Sequence, residues 1–325
     1  MEKQILGKKI NKIFVTGGAG FIGSHLVEIL LEQGYQVTCY DNLSSGKETN
    51  IEKHFNNQKF NFIKADLLDV DKLTTNIKNH DLIWHLASNT DIIGSHEQPD
   101  RDLKDGIIST FNLLESMRKL SIRDIIFASS GAVYGNLCKD TSVTENAGPL
   151  LPVSTYGAGK IGSEAFISSY CSVYGLRSWI YRFGNVIGSR MTHGVIYDFI
   201  LKFKSNPKNL LIRGDGKQEK NYFLVEECIE GMAFGFKQAN MGINQPCDIF
   251  NLGTNTVSKV TTIAEIIKQK MNLVDATISI EGSKLAWPGD QPRVHFEVKK
   301  INKLGWKTKY TSDESVEIAV NRMLV

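Results

Sequence analysis

Short apolar runs alternate with longer stretches in which apolar residues recur at helical spacing. Ile13 to Val15, Gln36 to Tyr40, Phe60 to Lys64, Asp81 to His85, Asp124 to Ala128 and Arg177 to Arg182 read as strands. Continuous apolar runs of that length suit strands covered on both faces of a parallel sheet. Phe21, Ile22, Leu26, Ile29 and Leu30 mark a first helix. Ile107, Ile108, Phe111, Leu114 and Met117 mark an apolar face on a helix from Asp102 to Leu120, and a further helix spans Ser154 to Tyr174. Strand and helix alternate, so right-handed crossovers and an α/β fold with a doubly wound parallel sheet are expected.

Past Asn185 the alternation weakens. Helices are expected at Gly194 to Phe203, Val225 to Gln238, Thr261 to Met271, Val298 to Leu304 and Asp313 to Leu324, with strands at Tyr222 to Val225 and Asp248 to Gly253. Residues 1–184, joined by 221–253, are expected to form one domain around that sheet. Residues 185–325 are expected to form a smaller α/β lobe packed directly on it.

Composition adds little to this picture. The 325 residues are 42% hydrophobic and 22% charged, with net charge +3 spread along the chain. No basic tract nominates a nucleic-acid partner. Cys39, Cys138, Cys171, Cys228 and Cys247 are scattered, odd in number and without a C-x-x-C pair, as expected of reduced thiols in the cytoplasm. Neither an N-terminal signal nor a membrane-spanning run is legible, and no metal-ligand pattern stands out.

The first strand leads into Thr16, Gly17, Gly18, Ala19, Gly20 and then Gly23. Glycine at 17 and 20 lets backbone approach a pyrophosphate, and Gly23 lets the helix lie close to the sheet. The helix start at Phe21, Ile22 and Gly23 offers free N–H groups to phosphate. Asp41, followed by Asn42, ends the second strand, where a carboxylate accepts hydrogen bonds from the ribose hydroxyls of NAD and repels a 2′-phosphate, so 1–184 with 221–253 is expected to be a dinucleotide-binding Rossmann domain and 185–325 the substrate lobe. Asp66, with Leu67 beside it, ends the third strand; it either meets the adenine amino group or caps a helix. Leu86, Ala87 and Ser88 follow the fourth strand and are small enough there for cofactor and substrate to pass. His85, in an apolar strand, reads as a hydrogen-bonded structural histidine.

Tyr156 and Lys160 are spaced i, i+4 on one helix face. A tyrosine base working near neutrality needs its pKa lowered by about 3 units, roughly 4 kcal/mol. A neighbouring ammonium and a nicotinamide cation both favour the phenolate. Ser130, one strand earlier, is placed to bond a reacting sugar hydroxyl and pass its proton to Tyr156.

The segments TGGAGFIGSHL, YDNLSSG, KADLLD, HLA, FASSGAVYG, YGAGK, RFGNVIGSR and GDGKQ resemble, over essentially the whole chain, the extended short-chain dehydrogenase/reductases that act on nucleotide sugars, nearest to the UDP-glucose 4-epimerase-like members. The resemblance implies tightly held NAD, Tyr156 as base, Lys160 as ribose anchor and Ser130 as hydroxyl partner. It also implies a homodimer joined by two helices per subunit, those beginning near Asp102 and Ser154. Asn185 matches the family asparagine that contacts the nucleotide diphosphate. Lys220 stands where the family often has arginine. Trp287 stands in a second arginine slot, with Arg293 nearby as a substitute. Val195 lines either the base pocket or the lobe's core, and Trp287 either stacks on a base or caps the core.

Dehydratases of this family carry Asp-Glu just before Val-Tyr-Gly, and decarboxylases usually a Glu; this chain has Gly131 and Ala132. Water elimination needs a second acid/base pair, so both reactions are disfavoured. Cys138, just beyond, reads as a stray surface thiol, the alternative being the extra acid/base that ring epimerisation next to a keto group needs. The expected activity is NAD-dependent nucleotide-sugar 4-epimerisation through a transient 4-keto sugar. A 4-dehydrogenase that stops at the ketone uses the same residues, and a non-catalytic NAD-binding scaffold is the remaining reading.

Overall fold

The computed structural model describes residues 5–7, 9–92, 94–138, 142–239, 246–287, 289–295 and 297–324. Lys12–Thr16 (β1), Gln36–Asp41 (β2), Phe60–Lys64 (β3), Leu82–His85 (β4), Asp124–Ser130 (β5) and Arg177–Phe183 (β6) all pair in parallel. Side chains alternate across this sheet, and both faces are covered. Ile13, Val15, Cys39 and Trp84 pack with Leu26, Val27 and Leu30 of Phe21–Glu32 (α1). Phe14, Tyr40, Ile83 and Phe127 pack on the other side. Their partners there include Leu73 of Val70–Asn76 (α2), a short helix that periodicity does not reveal.

The helix expected at 102–120 forms with two departures. Asp100–Asp102 (α3) and Ser109–Lys119 (α4) are α-helical, but Leu103–Ile108 between them is π-helical. A π turn spans one more residue than an α turn, so regular spacing does not carry through it. The apolar stripe also divides: Leu114 and Met117 are buried against the sheet, while Ile108 and Phe111 stay exposed. Thr155–Tyr174 (α5) lies alongside, its start capped by Ser154, whose hydroxyl accepts from Gly157 N at 3.1 Å. Left-handed Gly175 (φ 71°) ends it.

Beyond β6 come Asn185–Ile187 (β7), Val195–Ser205 (α6), Asn209–Ile212 (β8), Glu219–Lys220 (β9) and Tyr222–Leu224 (β10). Val225–Gln238 (α7) and Cys247–Leu252 (β11) return to the main sheet, giving the strand order β11-β6-β5-β4-β1-β2-β3. Ser258–Lys259 (β12), Val260–Lys270 (α8), Thr277–Ile280 (β13), Arg293–Val294 (β14), Lys299–Lys303 (α9) and Ser312–Leu324 (α10) follow. A separate core joins α6, α8 and α10 through Ile196, Phe199, Phe203, Ile263, Ile267 and Val316. The strand order reverses between β1 and β4. In such sheets ligands gather at the carboxyl edge beside that crevice. Gly17, Leu86 and Ser130 sit on that edge.

Candidate active site

Gly17 has φ 68°, and a Cβ there would stand 2.8 Å from Ala87 N. Both backbone conformation and space therefore require glycine. A Cβ at Gly23 would lie 2.0 Å from Gly17 O, so the close passage of α1 under the turn depends on it. Gly20 precedes α1 with no side-chain cap, and the first turn holds no acidic residue. Its Cβ would meet only Gly17 O, at 3.2 Å, and would otherwise fill open space. The N–H groups of Phe21, Ile22 and Gly23 thus stand in an uncapped first turn at the positive end of the helix dipole.

Asp41 is buried at the end of β2. Its Oδ2 accepts from Ala19 N at 2.9 Å and its Oδ1 from Leu43 N at 2.8 Å. Burial pushes its carboxyl pKa up, against the pull of those two N–H groups. Each oxygen keeps acceptor capacity for a hydroxyl. Asn42 Nδ2 donates to Asp66 Oδ2 at 2.8 Å, and Asp66 Oδ1 accepts from Leu68 N at 2.8 Å. The helix cap expected as the alternative role of Asp66 falls instead to Asp69, which accepts from Lys72 N at 3.0 Å. Leu67 is buried, and its carbonyl accepts from Asn112. Leu86 N and Ala87 N donate to Thr16 O and Oγ1, each at 3.2 Å, which holds half-buried Ala87 and Ser88 beside the glycine turn. An uncapped helix start, a glycine turn and a buried carboxylate one strand away fit a dinucleotide with free ribose hydroxyls.

Ser130, Tyr156 and Lys160 come together at the end of β5. Ser130 hydrogen-bonds the Tyr156 phenol, and its Oγ also accepts from Ala132 N at 3.1 Å. Burial pushes Tyr156 up to about 12, against the lowering bond to Ser130, while the Asp102 charge raises it further. Lys160 is buried and donates to Ala128 O at 2.7 Å, with its ammonium 5.7 Å from the Tyr156 ring centroid. Burial brings Lys160 down to about 8, opposed by the charges of Glu164 and Asp102. The ammonium expected to lower Tyr156 is here turned onto a backbone carbonyl.

A buried network supports this trio and was not legible in the sequence. Arg182 Nε and Nη2 donate to Glu164 at 3.0 and 2.6 Å, and Ser129 donates to the same carboxylate. Arg182 Nη1 also donates to Tyr134 OH at 3.1 Å, and that hydroxyl donates to Asn251 Oδ1 at 2.6 Å. His85 is the structural histidine expected. Its Nδ1 pairs with Thr16 Oγ1 at 2.7 Å and its Nε2 with Thr110 Oγ1 at 3.1 Å. Burial, and then the Lys160 charge, push it down to about 3.

On the substrate side, Asn185 opens β7, and its side chain donates to Asn221 O at 3.3 Å. Val195 opens α6, half-buried, after Gly194 (φ 96°) and with no side-chain cap. Lys220 donates to Asp290 at 3.1 Å and lies 5.4 Å over the Trp287 ring, so Trp287 stacks against a cation of its own chain. Arg293 pairs with Glu219 at 3.4 Å. In the β9–β14 register Arg293 stands beside Glu219, and Lys220 one residue on turns to the other face. The two cations are not brought together. Cys138 is not a surface thiol. It is buried, 1% exposed, with Sγ on Gly135 O and Arg293 O, because 131–138 coils inward as 3₁₀ turns. Burial pushes that thiol up.

Residues 14–319 match the family model of GDP-mannose 4,6 dehydratase. The chain belongs to this family. Membership in the GDP-mannose 4,6 dehydratase family agrees with the extended short-chain dehydrogenase/reductase motifs read from the sequence. A crystal structure of a UDP-galactose 4-epimerase superposes with TM-score 0.85 at 34% identity, covering 96% of this chain and 98% of that one. The UDP-glucose 4-epimerase of Mycolicibacterium smegmatis is 33% identical over 244 residues, 71% of this chain and 77% of that protein. The UDP-glucose 4-epimerase of Thermus thermophilus, crystallised with NAD, superposes with TM-score 0.83 at 28% identity, covering 96% and 98%.

Proposed function

We propose that the chain is an NAD-dependent nucleotide-sugar 4-epimerase. The observation that carries the reading is the joined set Ser130, Tyr156 and Lys160, with no acidic residue at 131 or 132. Gly131 and Ala132 occupy the place where elimination would need one. The nearest ionisable group on that segment, Tyr134, is committed to Arg182 and Asn251, and burial pushes it up to about 12. The epimerases among the relatives support the same choice, and their names point to uridine diphosphate as the nucleotide.

Gly17, Gly20, Phe21, Ile22 and Gly23 would hold the pyrophosphate, Asp41 and Asn42 the adenosine ribose, Asp66 and Leu67 the adenine. Leu86 and Ala87 would border the nicotinamide half, and Lys160 would anchor its ribose. Bound NAD supplies the hydride acceptor for the sugar carbon and a positive ring whose charge favours a phenolate. Tyr156 takes the proton of the sugar 4-hydroxyl, directly or through Ser130, and gives it back to the 4-oxygen once the 4-keto sugar has turned over and regained the hydride on its other face. Ser130 bonds that oxygen before and after the turn. Ser88, Asn185, Val195, Lys220 and Arg293 are assigned to the nucleotide sugar. Residues 1–184 with 221–253 are assigned to the cofactor and the rest of 185–325 to the substrate. The protein is read as a cytoplasmic homodimer, supported by its five free thiols and by the exposed Ile108, Phe111, Phe166, Val173 and Tyr174 on and beside α4 and α5.

The test is incubation of the purified protein with NAD and UDP-glucose, recording both UDP-galactose and the NADH band. Epimer without lasting NADH is expected. Stoichiometric NADH with a ketone and no epimer would replace this reading with the 4-dehydrogenase.

A further inference from the structure

Asp102 lies at the end of α3, where the π-helical stretch begins, and it is 4% exposed. Its backbone packs on the Tyr156–Lys160 helix so closely that a Cβ at Gly159 would stand 2.9 Å from Asp102 O. Asn89, itself buried, donates to Oδ1 at 2.8 Å and fixes the carboxylate from the loop after β4. Among the described residues, nothing hydrogen-bonds its buried Oδ2. A carboxylate oxygen left bare in the interior is costly, so its retention beside two reacting groups asks for a reason.

The other ionisable groups around it are accounted for. Glu164, from α5, is bound by Arg182 from β6 and by Ser129 from β5. His85 of β4 is bonded on both ring nitrogens. Asp105, three residues on, faces Arg101 at 3.7 Å and feels Asp66 and Asp102. Asp91 accepts from Gly94 N. Among these described groups, Asp102 is the one with a fully buried carboxylate oxygen that has no hydrogen-bond partner.

We infer that Asp102 is a positioning residue of the reaction: a fixed interior negative charge that keeps the proton on Lys160 and on the Tyr156 phenol. Its field acts on both partners in the same sense, since it raises Tyr156 and raises Lys160 against burial. Lys160 therefore stays an ammonium able to donate to a ribose, and Tyr156 ionises only when positive charge arrives nearby. The Asn89 bond tunes the field, because each N–H donated to the carboxylate disperses part of its charge.

The first readout needs no turnover and so stands apart from the proposed epimerase activity. The lysine Cε chemical shifts are followed against pH, and Lys160 is assigned by the signal lost in Lys160→Met. Lys160 is expected to titrate near 8. In Asp102→Asn, which keeps shape and an acceptor for Asn89, the midpoint falls by about one pH unit. Asn89→Ser strips the carboxylate of its donor and moves the midpoint up instead. The second readout is the pH profile of epimerisation, where Asp102→Asn shifts both limbs toward acid. A Lys160 midpoint unmoved in folded Asp102→Asn overturns the inference. If Asp102→Asn does not fold, Asn89→Ser decides: an upward shift supports the inference, and an unmoved midpoint overturns it. An epimerase assay that fails while the midpoint moves removes the proposed activity and leaves the role of Asp102.

Discussion

Tyr156 has further to travel than a solvent-exposed tyrosine. From about 12 in the chain alone, reaching neutrality takes about 5 units, or roughly 7 kcal/mol. One opposite charge close by supplies about 1 to 3 units, so Lys160 alone is insufficient even if it leaves Ala128 O for the phenol. The rest falls to the charge that arrives with the cofactor. Two outcomes follow. Tyr156→Phe should lower epimerisation by about a hundredfold to ten-thousandfold while NAD binding, read by calorimetry, stays within a few fold. Activity should also decline on the acid side, where Tyr156 is protonated even in the loaded enzyme; a profile with no acid limb would remove Tyr156 as the base. His85 gives a separate prediction on stability. Its folded pKa, about 3, lies below the ordinary 6.5. Between those values the unfolded chain binds a proton that the folded chain refuses, so stability falls as pH drops through this window. The slope is up to about 1.4 kcal/mol per pH unit from this residue. Urea unfolding at several pH values should show that slope reduced in His85→Gln.

At the scale of elements, the Arg182–Glu164 pair ties β6 to α5, and Ser129 ties β5 to the same carboxylate. Both charges are almost fully buried, at 3% and 4% exposure. Removing one partner leaves the other charged in the interior, so Arg182→Met should cost about 3–5 kcal/mol in urea unfolding. The double variant with Glu164→Gln should recover a good part of that. This network also shows where reading the chain stops. Glu164 and Arg182 are eighteen positions apart on different elements, and only the parallel pairing of β5 with β6 beneath α5 makes them neighbours. Asp102 is hidden for a related reason. In PDRDLKD it reads as one more acid at a solvated helix start, and neither its burial nor the π stretch that follows it has a periodic signature. The glycine turn, Asp41, Ser130 and the Tyr156–Lys160 spacing were legible because each is a local pattern whose backbone geometry demands those residue types. The lobe was less legible. Its strands β9, β12 and β14 have two residues each, too few for alternation to register, so nothing in the sequence says that Arg293 and Lys220 turn to opposite faces.

At the scale of the whole molecule, α4 and α5 lie side by side and bury one face each against the sheet. Their other faces keep apolar residues in the open. Phe111 meets Phe166 edge-on at 5.8 Å, and Tyr170 meets Tyr174 at 4.9 Å, with Arg118 5.3 Å over the Tyr174 ring. Val173 is 64% exposed. A row of this kind on the two helices that also carry Tyr156, Lys160 and the π turn suits a second copy of the same surface. In a two-fold interface each substitution appears twice. One carboxylate placed at Phe166 therefore introduces two unpaired charges, each costing several kcal/mol if it loses water. At even 4 kcal/mol in total the dissociation constant rises roughly a thousandfold. Phe166→Asp should then sediment as a monomer at micromolar concentration where the parent chain sediments as a dimer. Leu201→Asp, an equally exposed apolar position on α6, should leave the assembly unchanged. A parent chain that sediments as a monomer would remove the proposed dimer and leave these side chains as solvent-facing residues of a single copy.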